Sequence, residues 1–156
     1  MKKLVVYYSR SGNNKKIAKE LAALSLLEAD IDEIIPEKRY SGIFGWLRAG
    51  FNASKEKRVK ISVSKNPLDY DLVIFGGPNW AGKLSSPLLS YLSNYKFKKT
   101  AFFSVSGSGD MSKSLLQLKE LGIDPVATLI LTEKELKENM HHNKVIGFYN
   151  RLRKMR

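Results

Sequence analysis

The sequence predicts an α/β domain: a doubly wound five-stranded parallel sheet with helices on both faces, in three α/β/α layers. Two observations predict it. Strand-like segments, most of them apolar and β-branched, alternate five times with segments of helical period along the 156 residues. The runs at residues 4–8, 71–77 and 100–105 also lack the polar alternation of a half-exposed strand, as central parallel strands do, and each stops in a short polar loop containing glycine. In such folds, ligands lie outside the carboxyl ends of the strands, where these loops emerge.

The first run, Leu4 to Tyr8, turns through Ser9, Arg10, Ser11, Gly12, Asn13 and Asn14 into a helix predicted over about 13–27, with Ile17, Leu21 and Leu24 on one face. Free N–H groups and the positive end of the helix dipole meet at that junction. It therefore reads either as an anion socket or as a plain turn capped by Ser or Asn. Residues 29–35 alternate apolar and acidic side chains, which suits an edge strand closed by Pro36. Residues 37–60 read as a short helix inside a long loop, interrupted by Gly42, Gly45 and Gly50. Phe44, Trp46, Leu47 and Phe51 are expected to pack that helix on the sheet, the rival reading being a lid over a ligand or partner. Residues 61–63 are either a small strand or the end of the loop.

The third run ends in Gly76 and Gly77 and continues through Pro78, Asn79, Trp80, Ala81 and Gly82 to Lys83. Ser85-Ser86-Pro87 then predicts a helix start with a hydroxyl cap, and Leu88 with Leu92 a buried face. The fourth run ends in Ser106, Gly107, Ser108 and Gly109; Asp110 is placed to cap the next helix, which carries Leu115, Leu118 and Leu121 and stops at Gly122. Residues 126–131 form the last strand, and Thr132 with Glu135 predicts a capping box. The final helix is assigned a face of Ile146, Tyr149 and Leu152. The stretch around His141, His142 and Asn143 predicts that it breaks or starts afresh near Lys144.

Length, with 43% hydrophobic and 27% charged residues, fits a single globular domain over residues 1–156. The chain has no cysteine, which excludes disulfides, thiolate-held clusters and a cysteine nucleophile. Redox chemistry therefore has to come from a bound cofactor. The five apolar residues after Met1-Lys2-Lys3 are too few for a signal-peptide core, and the expected location is cytoplasmic. A formal charge of +12 favours anionic partners; residues 36–60 hold seven Lys or Arg against two Glu, and residues 144–156 hold five with no acid. No paired catalytic carboxylates, triad or P-loop pattern is present. His141 and His142 have no carboxylate at ligand spacing in the sequence, so no metal site is expected.

On three motifs the whole chain resembles the flavodoxin family, and more closely its short flavodoxin-like members. Ser9-Arg10-Ser11-Gly12-Asn13-Asn14 is similar to the family's FMN-phosphate loop. Gly77-Pro78-Asn79-Trp80-Ala81-Gly82 is similar to the loop whose aromatic residue packs on the isoalloxazine ring. Ser106-Gly107-Ser108-Gly109 stands where the third flavin-contacting loop falls. The resemblance implies FMN as cofactor, with Ser9 to Asn14 at the phosphate and residues 78–82 and 106–109 at the ring; Trp80 is the expected stacking residue. Two positions depart from the pattern: Asn14 stands in place of Thr, and Gly77 in place of Thr or Ser. The basic charge departs from the best-known flavodoxins, which are usually acidic.

Three functions follow for test. The first is an FMN-dependent electron-transfer protein serving an acidic redox partner protein. The second is an NAD(P)H-linked FMN or quinone reductase. The third is a basic binding module that has lost FMN. Specific nucleic-acid binding is not expected, and the basic aromatic segment 37–60 permits peripheral membrane contact, although its glycines weaken an amphipathic helix.

Overall fold

The computed structural model describes residues 1–24 and 28–155. The strands β1 (Lys3–Tyr7), β2 (Ala29–Glu33), β3 (Leu72–Gly76), β4 (Thr100–Ser106) and β5 (Thr128–Thr132) form one sheet in the order β2-β1-β3-β4-β5, parallel throughout. The order reverses direction at β1, so the gap between the loops after β1 and β3 is the topological switch point. β1, β3 and β4 are buried almost end to end, which explains their unbroken apolar sequence. β2 is the sheet edge expected, but its alternation is inverted: Ile31 is exposed, and Asp32 is buried where it accepts from Ser64 N–H and Lys65 N–H.

Successive side chains of the central strands enter two cores on opposite faces of the sheet. Val5, Ile74, Phe103 and Leu129 pack under α1 (Asn13–Ala23) and the last two helices. Leu4, Val73, Phe75 and Phe102 pack under α3 (Ser86–Asn94) and α4 (Ser112–Glu120). Those last helices are α5 (Glu133–Lys137) and α6 (His142–Arg153), separated at Asn139, whose φ is 55°. The predicted break is therefore real, and it falls before Lys144. The predicted capping box is also present: Thr132 Oγ1 accepts from Glu135 N–H, and Glu135 accepts from Thr132 N–H.

Several expectations are corrected. The first helix is described to Ala23; residues 25–27 of its predicted span lie outside the described residues. Of the face assigned to α6, Leu152 is buried and Tyr149 packs partly buried on the core, but Ile146 is exposed, and Val145 and Phe148 complete the buried face. Ser85 stands at the cap position of α3, but its hydroxyl makes no cap bond and is buried without a partner. Ile35–Pro36 does not extend β2; it pairs antiparallel with Ile61–Ser62.

The largest correction concerns residues 37–60. A helix α2 (Gly42–Ser54) runs through the glycines, and it buries its small side: Gly45, Ala49, Asn52 and Ala53. A Cβ on Gly45 would lie 2.5 Å from the backbone carbon of Tyr40, a distance no side chain tolerates. Glycine there lets α2 lie against the Tyr40 backbone. The expected packing face points the other way: Phe44, Trp46, Leu47 and Phe51 are all exposed.

Candidate functional site

The loops after β1, β3 and β4 leave the same edge of the sheet, and a small set of polar side chains ties them together. Asn14 in the first turn of α1 is buried; its amide donates to Val105 O at 3.0 Å and accepts from Val105 N–H at 2.9 Å. This two-way bond fixes the first loop against the end of β4. Asn79 spans the second and third loops, donating to Asp110 O at 2.7 Å and accepting from Ser114 Oγ at 2.7 Å. Ser104 Oγ donates to Gly77 O at 2.7 Å, and Tyr8 N–H to Gly76 O at 3.0 Å. Asn14 and Asn79, two of the three asparagines of the predicted ligand set, have their side chains committed to holding the loops in register.

Around the first loop, Ser9 Oγ accepts from Gly12 N–H at 3.1 Å, and Gly12 takes a left-handed conformation just before α1. No side chain caps α1, so its N-terminal N–H groups are left for another acceptor. Ser11 and Gly12 are exposed and Asn13 is half-buried. The Arg10 guanidinium turns toward α2, donating to Tyr40 O at 3.0 Å and Gly42 O at 3.1 Å.

The second loop is a hairpin: Asn79–Trp80 pairs with Lys83–Leu84 across Ala81 and Gly82, whose φ values are 50° and 78°. Positive φ at both central residues is the turn that matches strand twist in a two-residue loop. Gln117 accepts from Leu84 N–H and donates to Glu56, anchoring the hairpin to α4 and to the end of α2. The hairpin carries Trp80 half-buried against two tyrosines, edge-on to Tyr8 at 5.5 Å and to Tyr40 at 4.9 Å. Burial pushes the Tyr8 hydroxyl well above its ordinary pKa, and this ring stays neutral.

Trp80 then lines a cleft of about 500 Å³ with Asn79, Ala81 and Gly82 of the hairpin, Ser106 to Ser108 after β4, and Trp46, Leu47 and Phe51 of α2. Ser106 Oγ is buried here with no hydrogen-bond partner. A second hollow of about 470 Å³ lies beside the first loop, lined by Tyr8, Ser9, Arg10, Lys15, Glu33 and Arg39 among others. The structure thus brings the second and third loops into one cleft and sets the first loop beside it. Pro78 is half-buried at the base of the hairpin, and Gly109, with φ 71°, turns the third loop toward Thr132. Asp110 is not the cap of α4, a position held by Met111 without a side-chain cap bond; it stands one residue earlier and accepts from Ser112 N–H and Ser112 Oγ, which hold its carboxyl below the usual range.

The sequence scanned by a family profile matches the flavodoxin profile over residues 2–148. The chain belongs to the flavodoxin family. A search of curated proteins finds no match. Among solved structures, a flavoprotein from Bacteroides uniformis aligns at TM-score 0.73 and 25% identity, over 89% of this chain and 97% of its own. One from Bacteroides eggerthii aligns at 0.72 and 21%, over 95% and 98%. A Lactobacillus acidophilus flavoprotein, crystallised in complex with FMN, aligns at 0.68 and 20%, over 88% and 97%.

The two departures from the flavodoxin pattern now have physical reasons. Asn14 offers both a donor and an acceptor to the two backbone groups of one residue of β4, Val105, which a Thr hydroxyl at that place does not reproduce. At Gly77 a Cβ would meet Leu88 and the Tyr8 carbonyl oxygen at 3.3 Å each, so the backbone approaches too closely for Ser or Thr without movement. Tyr40 lies in the long loop of residues 37–60 and Gln117 among the leucines of a predicted helix, and no motif marks either as holding Trp80 and its hairpin.

His141 and His142 correct another expectation. Both ring systems meet Glu20, 121 residues away in the chain: His141 Nε2 lies 3.1 Å from one carboxylate oxygen and His142 Nδ1 3.3 Å from the other. These ligand-type atoms lie within 4.8 Å of one another. The two contacts tie α1 to the start of α6.

Proposed function

We propose that this protein is an FMN-dependent electron-transfer protein, with FMN seated at the carboxyl edge of the sheet. The observation that carries the reading is the cleft lined together by Trp80 of the hairpin, Ser106 to Ser108 at the end of β4, and the aromatic side of α2. The cleft volume lies within the range of small-molecule sites, and its lining is mainly apolar with a few convergent polar groups. These residues fit a flavin ring. The uncapped α1 N-terminus, with Ser9 and Ser11 near it, fits the phosphate.

In this reading Trp80 packs on the ring, and Ser106 with the backbone of residues 107–109 bonds its polar edge. Asn14 and Asn79 act as struts that set the spacing of the loops. Bound FMN supplies the redox chemistry, while the protein supplies position, exclusion of water and charge. The exposed cations favour an anionic partner surface for electron exchange.

Titration of the purified protein with FMN, followed by flavin absorbance and quenching of its fluorescence, tests the reading. Saturation at one flavin per chain is expected. Trp80→Ala should weaken binding by at least about tenfold, the loss of roughly 1.5–3 kcal/mol of aromatic contact. A colourless protein that leaves FMN fluorescence unquenched overturns the proposal.

A further inference from the structure

We infer that the outward face of α2 docks on an anionic membrane surface. Ile43, Phe44, Trp46, Leu47 and Phe51 are 71, 83, 61, 54 and 61% exposed, all on one helix. No other helix among the described residues exposes more than two large apolar side chains. Ile43, Leu47 and Phe51 follow one another at four-residue steps, so they form one stripe, with Phe44 and Trp46 on either side of it. Gly45, Ala49, Asn52 and Ala53 seat the opposite face on the protein. The helix cannot rotate to hide its apolar side without breaking the close contact of Gly45 on Tyr40.

Charge selects the occupant. Lys38 and Arg39 precede the helix, Arg48 flanks the stripe, and Lys55, Lys57 and Arg58 follow it, all of them exposed. Of the two acids in this segment, Glu56 is engaged by Lys83 and Gln117. An apolar stripe with Trp and Phe, framed by cations whose long stems keep their charge in the headgroup layer, is the pattern of a helix lying in a membrane interface. Anionic headgroups complement the cations at both ends. Docked in this way, α2 would set the neighbouring cleft, whose wall includes Trp46, Leu47 and Phe51, against the lipid surface. Docking does not require the flavin, and FMN binding is measured separately.

The test is co-sedimentation of the full chain, with and without FMN, with phosphatidylglycerol–phosphatidylcholine vesicles and with pure phosphatidylcholine vesicles. Partition to the anionic vesicles is expected, weakening as salt rises, with the emission of Trp46 shifting to the blue in a Trp80→Phe background. Ile43→Ser with Phe44→Ser, both outside the cleft lining, should cut partition by about tenfold or more while leaving thermal stability and FMN affinity unchanged. Absence of partition to the anionic vesicles overturns the inference. So does partition that the double variant leaves intact, which would make it general charge adsorption. Concentration-dependent self-association or capture of an acidic redox protein, abolished by the same variant while vesicle binding persists, also assigns the face elsewhere and overturns it.

Discussion

Asn14 shows how one side chain can carry two different readings. In the sequence it occupies a place where a hydroxyl usually serves the phosphate; in the fold its amide closes a pair of bonds on Val105. Restoring the family residue therefore should not improve the site. Asn14→Thr loses at least one of two buried hydrogen bonds and leaves a peptide group of β4 unpaired, a cost of about 1–3 kcal/mol. The expected outcome is a lower urea midpoint together with weaker FMN binding, since the first loop is no longer held against β4. Tighter FMN binding in Asn14→Thr would show that the phosphate, and not Val105, is the natural partner of this position. Gly77 follows the same logic, because a Cβ there would need Leu88 or the Tyr8 carbonyl, each 3.3 Å away, to give by a few tenths of an ångström.

Elements were legible wherever one local signal determined them. Four of the five sheet strands are announced by apolar runs and β2 by its alternation, and the start of α5 by the Thr132–Glu135 capping box. That box also gives a pH dependence. Glu135 is held below its ordinary value of 4.5, chiefly by the hydrogen bond from Lys144 and then by Thr132 N–H. A carboxyl whose folded-state pKa is depressed contributes stability that is complete above the unfolded value and is lost as pH falls below it. Urea midpoints should therefore decline below about pH 4.5, and Glu135→Gln should flatten the Glu135 share of that decline. An unchanged slope in the variant would remove Glu135 from the acid response. What the sequence left obscure depended on distant partners. Helix α2 was read inside out because its large apolar residues mark the usual buried face; only the Tyr40 backbone, which admits Gly45 and nothing larger, reverses it. The two histidines lacked a carboxylate in sequence and found Glu20 across the fold. Of the candidate site, the three loops and Trp80 were legible from composition at strand ends, whereas the roles of Asn14 and Asn79 depended on which backbone each amide meets.

Charge acts at the scale of the whole molecule. The chain carries a net +12, and four of its cations stand near the site edge: Arg10 and Lys15 by the first loop, Lys83 in the hairpin and Lys113, whose stem packs by Gly82, with Lys15 paired to Glu33 and Lys83 to Glu56. Fully reduced FMN carries a negative charge on its ring beyond that of the phosphate. At an effective dielectric constant of about 20, a cation about 8 Å from that charge favours it by about 2 kcal/mol before screening. Solvent-exposed cations give less, and salt removes most of what remains at distances beyond a Debye length of about 10 Å in 0.1 M salt. Two consequences follow if FMN is the cofactor. The lower-potential couple should be less negative than in acidic flavodoxins, because the surrounding charge stabilises the reduced anion. The same couple should become more negative as ionic strength rises, the reverse of the trend expected for a flavin surrounded by acids. Redox titration of the reconstituted protein across a salt series reads both. A potential that climbs with salt would mean that the acids near the ring outweigh these cations, and that the basic surface acts on partners without tuning the flavin.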